Sequence, residues 1–494
     1  MIVAEPQTPE GKPEEPSAGD PEIGEPSRDA AEGSKQDPDR AESRFRMAAM
    51  GCFLLALVLR VYFVREVQPP GQAIISDMQR YLALAKDLLL GQPVPPLTAV
   101  CKPPGATWFF ALQMKLFGLE AYPTMALVQA LLGASAPVFI MLAAKRVFRS
   151  ERLVGPLSVG LATALWPPLF VYTGYFSTEV PYAFLLTLSL WLWIRFLQTG
   201  KGALAAGLVT ALAYPLRPQI ALTVALVVVY GLVTHEERVW LGVRKAALVL
   251  APMALVVVLC AARYHRITGE WGLISNNNVV MSFFASTNYQ GVHTTLAPAP
   301  ESGPTAVGFQ PPPRTASEGF EDPFRTKGAY CDPEPLRAEK ARILAKTSLF
   351  GRLRRVGRNI TYLSYRNSLW PEAGRAKSGL RAAALVVGRY AGSYLLVPLA
   401  LAAIALLAFR KNLGVTLSAL HVLALLYTAA FYFGELRYRV PYDPILILLA
   451  VYALLVALKV EPKAEGEAPK PWVKYAILAG LAGLVLLELA VWVA

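Results

Sequence analysis

From Met47 to the C-terminus the chain repeats apolar runs of about twenty residues, and that repetition excludes most folds. A helix needs roughly 20 residues to cross the ~30 Å hydrocarbon layer of a bilayer. Lipid offers backbone groups no hydrogen-bond partner, so a spanning segment must satisfy its own, and these runs are too long for barrel strands. The prediction is an all-α polytopic membrane protein. The runs fall at 47–64, 123–144, 153–172, 180–198, 203–215, 218–234, 241–262, 383–408, 413–433, 440–459 and 473–493. The shorter segment 105–118 reads as a further span, a half-helix or an interfacial helix. The total is a bundle of about 11–13 transmembrane helices with external amphipathic helices.

Charge orients the bundle. Residues 1–46 are rich in Pro, Glu, Asp, Gly and Ser, which predicts a disordered acidic tail rather than a signal peptide. Arg40, Arg44 and Arg46 close the tail and predict a cytoplasmic N-terminus. The basic loops at Lys145/Arg146/Arg149/Arg152, Arg195/Lys201, Arg238/Arg244/Lys245, Arg410/Lys411 and Lys459/Lys463 all fall on that same side if 105–118 does not cross. The formal net charge of +13 then reflects positive-inside loops, attraction to anionic lipid and a bound lipid phosphate. With no basic-aromatic module, nucleic acid is excluded as a partner. Cys52, Cys101, Cys260 and Cys331 show no CxxC spacing, so neither a disulfide framework nor a zinc site is expected, and the four histidines have no ligand spacing.

This register divides the chain into the tail 1–46, an N-terminal transmembrane catalytic module 47–262 with an external loop at 65–104, an external stretch 263–382, and C-terminal transmembrane helices 383–494. Within 263–382 the Pro-rich middle 296–335 is irregular, and 334–362 reads as one basic amphipathic helix on the bilayer surface. One face of the membrane carries short basic loops. The other carries acids, arginines, tyrosines and prolines, and function is expected there.

Five segments on that face hold the candidate residues. In SDMQRYLALAKDLLLG (76–91), Ser76 and Gln79 form a capping box that starts a helix at Asp77, with Met78, Leu82, Ala85 and Leu89 on one face. Asp77 is either a first-turn acid complementing the helix dipole or a general base, with Tyr81 one turn on. Lys102, before Pro103-Pro104, either snorkels at a helix start or meets a phosphate. Glu179 lies at the mouth of a span, where an acid is costly unless paired. Arg217 sits between Pro215 and Pro218, a pattern for a broken helix lining a cavity, with snorkelling as the alternative. Arg437-Tyr438-Arg439 places two arginines externally, against the positive-inside trend, and arginine suits bidentate phosphate binding.

Taken in order, these segments resemble glycosyltransferase family 39, which contains the protein O-mannosyltransferases and the aminoarabinose transferase that modifies lipid A. The resemblance spans about 47–460. Its markers are the acid-bearing helix 77–91, Lys-Pro-Pro at 102–104, LVQALLGASAPVFIMLAAKRVF at 127–148, STEVPYAFLL at 177–186, LRPQ at 216–219, RITGEWGLISNNN at 266–278 and RYRVPYDP at 437–444. It implies a C-type glycosyltransferase fold and a sugar donor on a polyprenyl phosphate, used at the external face. It also implies an acid near the acceptor in the first external loop, here Asp77, and a phosphate-contacting lysine, here Lys102. Many members carry an Asp-Glu pair in that loop, where this chain has Asp77-Met78.

The expected function is therefore transfer of a sugar, with inversion, to a hydroxyl or amine of a lipid, polysaccharide or protein. Asp77 is the expected base; Lys102, Arg437, Arg439 and Arg217 bind the donor phosphate; Tyr81, Glu179 and Tyr438 orient substrate. No cofactor is obligatory, although a divalent metal is compatible with an acid and a phosphate. The expected location is a bacterial inner membrane, with the site facing the periplasm. A polyprenyl-lipid flippase or transporter, or an inactive lipid-binding relative, is the alternative.

Overall fold

The computed structural model describes residues 38–71, 74, 77–148, 153–234, 239–286, 332–364, 387–388, 390–432, 434–460 and 475. All regular structure among them is helical. The described residues from Arg46 onward belong to one compact unit. The N-terminal tail up to residue 37, the Pro-rich 296–331 and most of the expected last span at 473–493 lie outside the described residues.

Among the described residues, six helices are long and apolar enough to cross a membrane: Asp39–Val67, Tyr122–Val147, Glu179–Thr199, Ala246–Thr268, Leu413–Phe431 and Leu436–Ala457. The pair Val154–Leu165 and Pro167–Gly174 would make a seventh span, bent by 50°. The bend has a local cause: Pro167 and Pro168 offer no N–H to continue the ladder, and Trp166 takes the extended backbone that a following proline imposes. Shorter apolar helices occupy Ala203–Ala213, Ile220–Tyr230 and Gly392–Leu406. The protein is thus a multi-pass helical membrane protein.

Between helices in lipid there is little hydrophobic driving force, so close backbone approach through small residues supplies much of the packing. Gly207 shows this: a Cβ there would overlap the Val249 carbonyl of the neighbouring helix. The larger core joins Tyr122–Val147, Glu179–Thr199, Ala203–Ala213, Leu413–Phe431 and Asp443–Ala457.

A second core positions the site. It sets helix Asp77–Leu90 against helix Gly105–Phe117 through Met78, Tyr81, Leu82 and Ala85 on one side and Ala106, Phe110, Ala111 and Met114 on the other. Leu89, expected on this face, is only partly buried. Helix Gly105–Phe117 has 13 residues, roughly 20 Å, which is too short to cross alone. Full burial of side chains such as Met78 and Phe110 contributes roughly 1.5–3 kcal/mol each, enough to fix two short helices against each other. Val171, Tyr172, Tyr175, Phe176, Leu436 and Val440 complete the same core. It therefore ties the two short helices to the start of helix Glu179–Thr199 and to the segment Leu436–Arg439.

Two expectations need correction. The single amphipathic helix over 334–362 is two helices, Pro333–Ala345 and Leu349–Thr361. Ser348 separates them because its side chain caps the second, accepting from the Gly351 N–H at 3.1 Å. Leu349 and Phe350 are 73% and 71% exposed beside several arginines, the surface pattern of a helix that meets a bilayer. The second correction concerns cysteine. Cys101 is disulfide-bonded, while Cys52 and Cys260 are free and buried. The partner of Cys101 lies outside the described residues. Spacing along the chain did not suggest this bond, because a disulfide depends on approach in space.

Candidate functional site

Five of the predicted residues meet in one buried charge network. Asp77 is the first residue of its helix, and Ser76, its expected cap, lies outside the described residues. The Asp77 Oδ2 accepts from Arg437 Nη1 at 3.0 Å, and its Oδ1 lies 3.5 Å from Lys102 Nζ. Arg437 then turns to a second acid, its Nε donating to Glu179 Oε1 at 2.5 Å. The same Glu179 oxygen accepts from Arg217 Nη2 at 2.5 Å. Arg217 also donates from Nε to Thr178 Oγ1 at 3.0 Å, and its guanidinium lies 5.3 Å from the Tyr438 ring centre and 5.5 Å from that of Tyr182.

Each member is set by a local sequence device. Glu179 opens its helix two residues before Pro181, so the acid sits at the positive end of the helix dipole. Arg217 lies in the break between the helices ending at Ala213 and beginning at Ile220. The prolines that make the break free the Pro215 carbonyl, and the Gly105 N–H donates to it at 2.8 Å. A Cβ on Gly105 would overlap the Pro215–Leu216 backbone, so only glycine lets the Lys102–Pro104 segment rest on the Arg217 break. The proline pair thus acts as a seat for the lysine loop.

The electrostatics favour an anion. Lys102, Arg217, Arg437 and the nearby Arg80 stand against Asp77, Glu179 and Glu435, which leaves one positive charge in excess among these described groups. Burial works to raise the Asp77 carboxyl, but the charges of Lys102, Arg437 and Arg80, with the hydrogen bond from Arg437, outweigh it and hold it well below the ordinary carboxylate range. For Tyr81, burial and then the Asp77 charge push the phenol well above its usual value, so it serves as a neutral hydroxyl. Tyr438 lays its ring against Arg217 and donates its hydroxyl to Met281 Sδ at 3.3 Å.

Arg439 stands apart from this group. Its Nε donates to Asp443 Oδ1 at 2.9 Å and its Nη1 to the Leu363 carbonyl at 3.2 Å. Asp443 is held from the other side by Trp166 Nε1 at 2.7 Å. Arg437 and Arg439, expected together at the donor phosphate, therefore point to different partners: two residues along a helix turn the second side chain about 200° away from the first. Arg439 has its own carboxylate, four residues on.

Glu435 was not singled out from the sequence, although it lies in the same external segment. Burial pushes its carboxyl up to about 7; Arg437 and Arg217 oppose that shift, while Glu179 and Asp77 reinforce it. Thr178 was also missed, although it adjoins Glu179. No group of three or more His, Cys, Asp or Glu able to hold a metal ion occurs among the described residues.

Fold and site together define a multi-pass, all-helical membrane protein with a buried cationic site shared by several helix ends. Residues 101–264 match the model of the dolichyl-phosphate-mannose-protein mannosyltransferase family, so over this stretch the family resemblance read from the motifs holds. The stretch contains Lys102, Glu179 and Arg217. No curated protein matches the chain in sequence. Among solved structures, the chain is similar to archaeal oligosaccharyltransferase AglB from Archaeoglobus fulgidus in complex with an inhibitory peptide and a dolichol-phosphate. That match has 13% identity and a TM-score of 0.44, covering 89% of this chain and 55% of that one. It is also similar to ArnT from Cupriavidus metallidurans bound to undecaprenyl phosphate, at 16% identity and a TM-score of 0.43, covering 93% and 73% respectively. The chain thus spans about half the length of the archaeal oligosaccharyltransferase.

Proposed function

We propose that the protein is a membrane glycosyltransferase that moves a sugar from a polyprenyl-phosphate donor to a hydroxyl or amine acceptor at the external face. The observation that carries this reading is Arg437, which bridges Asp77 and Glu179 while Lys102 flanks Asp77. Such a site has the two parts the reaction needs. Cations receive the phosphate leaving group, and an acid faces the incoming nucleophile.

The acceptor oxygen or nitrogen attacks the anomeric carbon as the bond from that carbon to the phosphate oxygen breaks. The electron pair of that bond stays with the phosphate, which Lys102 and Arg437 stabilise, with Arg217 adding charge behind them. The acceptor proton passes to Asp77. While Asp77 is paired with both cations it is a weak base. A donor phosphate that engages Lys102 and Arg437 draws them from Asp77 and raises its basicity when a nucleophile must be activated. Glu179 orients Arg217 and Arg437, and Tyr81 and Tyr438 line the approach. Direct displacement inverts the sugar carbon. In this reading the site faces away from the cytoplasm, on the periplasmic side of a bacterial inner membrane; the positive-inside pattern supports the side, and a disulfide at Cys101 suits an oxidising compartment.

The test is transfer of radiolabel from a polyprenyl-phosphate sugar to native acceptor in vesicles. Asp77→Asn should lower transfer by about 10²–10⁴-fold while the protein remains folded. Full transfer by the variant would remove Asp77 as the base. Movement of labelled lipid across the bilayer without transfer would support a flippase instead.

A further inference from the structure

The segment RITGEWGLISNNN (266–278) has no part in the scheme above, yet its geometry leads directly to Lys102. Helix Ala246–Thr268 stops at Gly269, whose φ of +77° favours glycine and whose N–H donates back to the His265 carbonyl at 2.8 Å. The chain then doubles back over the helix end. A Cβ on Gly272 would overlap the Tyr264 ring, so glycine there lets the returning chain lie on that tyrosine. The turn brings Asn276 to the Tyr264 hydroxyl, which donates to Asn276 Oδ1 at 2.7 Å, and both residues are buried. Thus held, Asn276 donates its own N–H to the Val100 carbonyl at 2.8 Å, two residues before Lys102.

Other tethers hold the same segment. The Ala99 carbonyl accepts from Arg263 Nη2 at 2.9 Å. Arg80, one turn beyond Asp77, donates from Nη1 to Cys101 Sγ at 3.0 Å. The Gly105 N–H closes the segment on the Pro215 carbonyl. Arg263 is the costly member of this set. It lies near the end of a span, its Nη1 is buried without a hydrogen-bond partner, and it forms no ion pair among the described residues. Snorkelling would carry that nitrogen to water instead. A charge kept from water beside a span points to function, and the carbonyl that Arg263 holds belongs to the lysine segment.

We propose that Arg263, Tyr264 and Asn276 are positioning residues, which fix residues 99–102 so that Lys102 stands at the donor phosphate beside Asp77. The inference rests on the glycosyltransferase reading. Lysine is a point charge on a flexible four-carbon stem, so its place depends on where its backbone is held. Misplacing such a group by about 1 Å can cost on the order of 10²-fold in rate. Asp77 and Lys102 are 3.5 Å apart, and Arg80 and the turn at 269–276 hold the two sides of that gap in register.

The experiment measures donor and acceptor KM in vesicles, and amide hydrogen exchange of the full chain in nanodiscs. It compares wild type with Arg263→Met, Arg263→Lys and Tyr264→Phe, each with and without Lys102→Met. Arg263→Met should raise the donor KM roughly tenfold and leave the acceptor KM within about twofold. Arg263→Lys keeps a donor for the Ala99 carbonyl and should restore most of that loss. In the Lys102→Met background, Arg263→Met should add less than about twofold, because the charge being positioned is gone. Amides of residues 99–105 should exchange about tenfold faster or more in Arg263→Met. Tyr264→Phe removes one hydroxyl and should shift donor KM and exchange in the same direction, which preserves the comparison if Arg263→Met does not fold. The inference is overturned if donor KM is unchanged in the variants that fold, if it rises equally with and without Lys102, or if exchange at 99–105 does not change. If wild type transfers no sugar at all, the glycosyltransferase reading fails, and the exchange measurement still decides whether these residues hold the segment.

Discussion

Replacing Glu179 by Gln tests the buried network most directly. Its Oε1 is shared by Arg217 and Arg437, so a single neutral substitution of nearly equal volume deprives two buried guanidinium groups of their common carboxylate. The two arginines are not left equal. Arg437 keeps Asp77 at 3.0 Å, while Arg217 keeps only Thr178 and the faces of Tyr182 and Tyr438. Removing one partner of a buried pair costs about 3–5 kcal/mol, because the remaining charge stays desolvated. Glu179→Gln should therefore lower the thermal unfolding midpoint in nanodiscs by about 3–5 °C for a chain of 494 residues. Arg217→Gln should cost less, about 1.5–3 kcal/mol, since Glu179 retains Arg437. The double variant should be more stable than the sum of the singles by about 1–3 kcal/mol, because removing the Arg217 charge relieves what the loss of Glu179 left uncompensated. Additive effects, with Glu179→Gln costing under about 1 kcal/mol, would falsify the picture of a dry shared carboxylate.

Other perturbations separate binding from framework. Lys102→Met should raise the KM for the lipid-linked donor by roughly tenfold or more, measured at saturating acceptor, because a charge-assisted contact to phosphate is worth about 1.5–3 kcal/mol. Gly105→Ala should cut transfer without touching a charged group, since its Cβ would push the Lys102 loop off the Pro215–Leu216 backbone; a wild-type rate would mean that this seat is unimportant. Arg439→Met should lower the unfolding midpoint by leaving Asp443 with Trp166 alone, yet leave donor KM unchanged in the protein that folds; a raised KM would return Arg439 to the phosphate site.

The length and spacing of the apolar runs were enough to show a helical membrane protein. Lipid leaves the backbone few options, so hydropathy alone carries the fold class. The candidate residues that the structure brings together were legible for the same reason: Asp77, Lys102, Glu179, Arg217 and Arg437 are charges beside apolar spans, costly there without partners. The helix start at Asp77 and the break around Arg217 followed from short-range proline and capping chemistry. What the sequence did not contain was who meets whom. Arg437 and Arg439 look equivalent on the page, but the turn between them sends one to Asp77 and Glu179 and the other to Asp443. Glu435 carries no signal of its own in the sequence, because the carboxylates that raise it, Glu179 and Asp77, lie far from it along the chain. The disulfide at Cys101 was invisible for the same reason. A charge's cost in lipid is local and can be read from one stretch of sequence. Its partner, and hence its chemistry, is settled by helix packing that brings residues 77, 102, 179, 217 and 437 within a few ångströms of one another.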